Sequence, residues 1–179
     1  MPMKLSAVLS LMLLAVIPYA KAQRIGWDTK DLQVVSQPIG SLSVQDQKGI
    51  ASRLGVKPED LLAMRVKAAS GHIFLVQSVY SPMWCGVASN CAFWVLSSDY
   101  KVLLSKVTQR YALQASMHHG YPDILTYMHS SATEGDLSYW QYQGTRYVRV
   151  ACADAEYEDA GGNVYKKPHI SPHSCGRGG

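Results

Sequence analysis

The chain has 179 residues, 47% of them hydrophobic, with 17 Lys and Arg against 13 Asp and Glu and a formal net charge of +4. That length supports one ordinary domain with a real core and is short for two. The basic excess is small and scattered, Lys166-Lys167 being its longest late run, which argues against a phosphate-tracking surface and against nucleic acid as a partner.

Residues 1–22 read as a secretory signal peptide. Lys4 supplies a short positive region, Leu5 to Ile17 is a nearly unbroken apolar run, and Ala20-Lys21-Ala22 is the small-x-small pattern of a cleavage site. The apolar run is shorter than the ~20 residues a membrane-spanning helix needs, so stable membrane insertion after cleavage is not expected. No cysteine follows the cut, and a lipoprotein anchor is not indicated. The mature protein is expected to start near Gln23, in the periplasm or outside the cell. Loss of Lys4 and Lys21 lowers its net charge to about +2.

From Gln23 to Leu42 the pattern is irregular, broken by Pro38 and Gly40. Ser43 is placed as a helix N-cap with Asp46 three positions on, and Gly55 as the residue that ends the helix. Pro58, Glu59 and Asp60 suit the first turn of a second short helix, to about Met64. The chain then turns to apolar runs of strand length: 65–69, 72–80, 91–96, 100–107, 111–117, 124–129, 137–143 and 146–152, joined by short turns. Short connections imply antiparallel neighbours, because a parallel pair needs a long crossover. The expectation is a single α+β domain over 23–154: an antiparallel meander of about seven strands with two short N-terminal helices. Residues 155–179, rich in Gly, Pro and His, are expected to form a polar tail without regular structure.

Four cysteines, Cys85, Cys91, Cys152 and Cys175, remain after the leader. In an oxidising compartment an even count points to disulfides. Cys85–Cys91 and Cys152–Cys175 are the favoured pairs, the second tying the tail to the last strand. The C-x5-C spacing is not that of a zinc knuckle, and no cofactor is expected. A cysteine nucleophile is activated at a helix start, whereas Cys91 opens a strand-like run.

Two sets of residues stand out for function. His118, His119, Asp123 and His129 gather imidazoles and a carboxylate around one turn, a set that could hold zinc or perform general acid–base chemistry. Adjacent strand residues point to opposite faces, which separates His118 from His119; a solvated turn is the simpler reading. The second set is aromatic. Alternation puts Trp140 and Tyr142 on one face and Tyr139 on the other, with Arg146 on the following strand. If that face is open, it makes a protein-docking surface, because aromatic rings bury much area at little rotameric cost. Trp84 and Asn90, in or beside the Cys85–Cys91 loop, form a second candidate protrusion. On this reading, Ala at both Trp140 and Tyr142 should leave folding intact and abolish partner capture.

The motifs C-G-x4-C-x2-W at Cys85 to Trp94, G-Y-P-D-I at Gly120 to Ile124, H-S-S-A-T-E at His129 to Glu134, and Q-G-T-R-Y from Gln143, leading to Cys152, occur in one order. Over Val79 to Cys152 the chain resembles small exported bacterial proteins of uncharacterised function. The resemblance implies export and a compact β-rich domain; it carries no catalytic motif. The functional expectation is a non-enzymatic binding module for another envelope or extracellular protein, such as an inhibitor or immunity-type partner of an envelope-acting enzyme. The alternatives are a small hydrolase built on the His/Asp set, with or without zinc, and a structural envelope component.

Overall fold

The structure, a computed structural model, describes residues 25–176 except 70, 87–88, 159–161 and 163, with the backbone alone for 164–166. The signal peptide expected over residues 1–22 lies outside the described residues. Among the described residues one α-helix, α1 (Val44–Leu54), precedes nine strands: β1 (Leu61–Ala68), β2 (Gly71–Ser78), β3 (Cys91–Ser97), β4 (Val102–Thr108), β5 (Arg110–His118), β6 (Tyr121–His129), β7 (Glu134–Tyr142), β8 (Tyr147–Glu158) and β9 (Val164–His173).

The helix forms where its caps are. The Ser43 hydroxyl accepts from the Asp46 amide at 3.2 Å, and Gly55 closes the last turn in the left-handed region at φ 67°. Asp46 is buried and also accepts from the Ser43 hydroxyl at 2.6 Å, from the Tyr100 hydroxyl at 3.1 Å and from the Arg65 guanidinium. Burial alone would push this carboxyl up, but the bonds from Ser43, Tyr100 and Arg65 prevail and hold it below its ordinary value of 3.8. A carboxylate depressed in the folded state stabilises the protein above its unfolded value, and that contribution is lost as pH falls through the folded value. The stability gap between the wild-type protein and Asp46→Asn should therefore be open above pH 3.8 and close as the solution is acidified below it, in urea titrations run at a series of pH values.

The second expected helix is absent. Pro58–Asp60 makes a single 3-10 turn, and β1 starts at once. Two-residue alternation decides this: Leu61 and Ala63 face the cluster under α1, while Leu62, Met64 and Val66 face the opposite core. The expected single meander is also divided. All neighbours are antiparallel, but they form two sheets, β1-β2-β3-β4 and β5-β6-β7-β8-β9. The tail is the third correction. β8 runs on to Glu158 and β9 pairs with it, Cys152 opposite His173.

The two sheets share one core, to which Ile73, Leu75, Phe93 and Val95 come from the first and Tyr111, Ile124 and Trp140 from the second. Phe93 and Tyr111 stack across it at 5.4 Å. Ile50 of α1 joins the apolar cluster on the other face of the first sheet, and Ile25, Trp27 and Leu32 pack on the outer face of the second. Hydrogen bonds join the sheets at both ends, the first through the buried Asn90. The Asn90 side chain both donates to and accepts from the backbone of His129, at 2.8 and 2.9 Å. At the other end the Ala69 amide donates to the Gly120 carbonyl at 2.8 Å. Gly120 is at φ 80°, and a Cβ there would meet that of Ala69 at 2.9 Å, so glycine is required on both counts.

The disulfides are the expected pairs, Cys85–Cys91 and Cys152–Cys175, and no described cysteine is free. Loop closure gives about 2.2 kcal/mol to the first and about 3.4 kcal/mol to the second, for separations of 6 and 23 residues. Such bridges persist in oxidising compartments. No helix among the described residues is long and apolar enough to cross a membrane.

Candidate functional site

The histidine–carboxylate set comes together only in part. Asp123 of β6 is fully buried and accepts from four side chains: His118 Nδ1 at 2.6 Å, Ser116 Oγ at 2.7 Å, Tyr139 OH at 3.1 Å and Gln141 Nε2 at 3.4 Å. Burial, with Asp123 adding to it, pushes the Tyr139 phenol up, so it stays a donor at neutral pH. His119 is exposed in the turn at φ 49°, and His129 lies at the opposite end of β6. A nucleophile must be bonded to its base. Here Ser116 and His118 are bonded to the same carboxylate, and among the described residues no bond joins them to each other. The arrangement is a hydrogen-bonded network around one buried carboxyl group. No group of three or more His, Cys, Asp or Glu placed to hold a metal occurs among the described residues.

The aromatic set is packed inside. Trp140 is 5% exposed and Tyr142 8%, both in the core between the sheets, and Tyr139 lies in the cluster on the other face of β7. The second protrusion differs as well. Asn90 is buried as the inter-sheet clasp, and Trp84 is half-buried against Trp94 at 6.3 Å. The large apolar side chains most exposed beside it are Tyr80 and Met83, at 66% and 81%. Arg146 is exposed.

Burial does not remove Trp140 from a binding role, because its ring lies at the floor of a groove. The second sheet is one strand wider than the first, and β4 is an edge strand of the first. The groove between them has a lobe of about 480 Å³ running along Val102–Lys106, with Trp140, Arg146 and Arg149 opposite. A second lobe of about 350 Å³ shares Lys106, Trp140 and Arg149 and reaches Thr126, Asp136 and Ser138. Both volumes are in the range of ligand-binding clefts. The Trp140 indole is fixed by its N–H donating to Thr126 Oγ1 at 2.9 Å. Lys106 and Arg149 lie over its ring at 5.4 and 5.9 Å, and such cation–π contacts hold positive charge at the groove mouth. Val107 and Val148 add exposed apolar surface beside it.

Sequence reading missed Lys106 and the rest of β4 as a wall of this groove. The signal available for them was two lysines in a short apolar strand, Lys101 and Lys106, a common device for guarding a sheet edge. Comparison with protein-family models, with curated proteins and with solved structures finds no match.

Proposed function

We propose that the protein is a secreted or periplasmic, non-enzymatic binding module that takes another envelope or extracellular protein, as an inhibitor or immunity-type partner of an envelope-acting enzyme does. The observation that carries this reading is the groove: a fixed aromatic floor at Trp140, positive charge from Lys106, Arg146 and Arg149, and flanking apolar side chains. Aromatic anchors with arginine at a desolvated centre are the composition of binding hot spots. The leader-like N-terminus, the two bridges and the resemblance to small exported proteins support the compartment. A hydrolase on Asp123 draws no comparable support, since its candidate nucleophile and base are both bonded to the carboxylate.

The test is charge reversal with a matched control. The mature oxidised protein is used as bait on the secreted and envelope fractions of its own cells, and the affinity of the captured protein is measured. K106E/R146E should weaken binding by about tenfold or more. K48E/K57E, the same charge change at exposed positions of α1 and the segment after it, should leave binding unchanged. Equal affinity for both variants would place the working surface elsewhere.

A further inference from the structure

We propose that the groove receives an extended, acid-rich segment of the partner protein, which adds to the first sheet as a fifth strand along the open edge of β4. This rests on the binding role proposed for the groove and specifies its occupant. An unpaired sheet edge is a row of backbone donors and acceptors, and folded proteins cover or blunt such edges. Three of the four edges here are treated in that way. On β5, Gln33 and Tyr111 exchange backbone bonds at 2.8 Å; on β1, the Ala63 amide donates to the Gln37 carbonyl at 2.8 Å, beside a bridge from Pro38. The outer strand β9 carries Pro168 and Pro172, which lack the donor a new strand would need.

β4 is guarded by charge alone, from Lys101 and Lys106, and its backbone stays accessible. Among the described residues its one ladder is to β3, and no backbone bond from Val102 to Val107 goes to any other element. That stretch forms one wall of the groove. Five residues from Val102 to Lys106 extend for roughly 13 Å at the rise of a strand, long enough to pair a short peptide. Backbone pairing supplies affinity in strand addition, while pockets for alternate side chains supply specificity; here the Trp140 floor is the pocket.

Charge selects the occupant. Lys101, Lys106 and Arg146 border the edge, and Arg149 faces it. Among the described residues the one acid lining the groove, Asp136, sits in the second lobe. A second copy of the chain pairing edge to edge would bring the lysines of two β4 strands to one seam, and like charges across a ladder are destabilising. An acid-rich strand is the complement.

The probe is a short alternating Glu–Val peptide, with two controls: its Lys–Val counterpart, and a version of the Glu–Val peptide with Pro at alternate positions, which keeps the charge and loses the donors. Binding is measured by calorimetry and backbone pairing by amide hydrogen exchange on the oxidised protein. The Glu–Val peptide should bind and slow exchange of alternate amides between Val102 and Val107, by roughly tenfold at ten times Kd, while neither control does so. Equal binding of the Pro version, or binding without protection in β4, would overturn strand addition and leave the groove reading standing. No binding of the Glu–Val peptide would also overturn it, and the charge-reversal experiment then decides the groove reading separately. Protection of β4 with self-association in the absence of peptide would assign the edge to a second copy instead.

Discussion

Asp123→Ala should cost about 3–5 kcal/mol of stability, the range for removing one partner of a buried charged network. The carboxylate is the common acceptor for His118, Ser116, Tyr139 and Gln141. Truncation leaves the buried Tyr139 hydroxyl without it, at a penalty of about 1–3 kcal/mol for an unsatisfied buried group, and removes the bonds that hold the part-buried His118, Ser116 and Gln141. Asp123→Asn keeps the volume and one acceptor oxygen, so its loss should be smaller. Urea unfolding of the three proteins checks the order: wild type most stable, then Asn, then Ala. An Ala variant as stable as the wild type would mean that the network contributes no net stability.

Trp140→Ala comes next in size, at about 3–5 kcal/mol for deleting a large aromatic side chain from a core. The indole fills space between the sheets, and its N–H bond holds Thr126. Tyr142→Ala adds to this, because the ring packs on Tyr121 and Tyr147 at 4.2 and 5.5 Å and its hydroxyl donates to the Gly144 carbonyl at 2.6 Å. The double variant therefore removes an amount comparable with the total stability of an ordinary domain, about 5–15 kcal/mol. It should be partly or wholly unfolded at 25 °C by near-ultraviolet circular dichroism. This reverses the expectation drawn from strand alternation alone, in which the pair could be truncated without harm. Loss of partner capture by such a variant would report unfolding, which is why the groove is tested by charge at Lys106 and Arg146.

What was legible in the sequence is what local chemistry determines. The Ser43 cap, the αL position of Gly55 and the short antiparallel connections each depend on a few neighbouring residues. The bridge pairing followed from compartment and spacing. Pro58-Glu59-Asp60 was ambiguous because those residues suit a helix start and a 3-10 turn alike; the burial of Leu61 and Ala63 against α1 decides it, and that contact is distant in sequence. The division into two sheets was not legible for a similar reason. Nothing between Thr108 and Arg110 breaks the chain, yet Thr108 Oγ1 donates to the carbonyls of Arg110 and Tyr127 there. β9 was hidden by Pro and Gly in its composition, although Cys152–Cys175 carried the information that the tail returns to β8.

The site was legible as residue types and opaque as geometry. Alternation correctly separated Tyr139 from Trp140 and Tyr142, but which face is covered depends on where the first sheet stops. Asn90 suits a protruding loop by residue type, but the backbone of His129 claims its side chain. His118 and Asp123 were rightly associated, since a tight turn brings β5 and β6 together. His129 is eight residues along β6 from Tyr121, and strand geometry carries it far from that turn.

The most direct measurement is where the natural partner touches. Photo-reactive side chains placed at Ser105 on β4, at Arg146 on the groove rim and at Val44, 65% exposed on α1, report this one position at a time. Cross-links from Ser105 and Arg146 with none from Val44 are the expected pattern. Cross-links from Val44 alone would contradict the assignment of the groove as the binding surface.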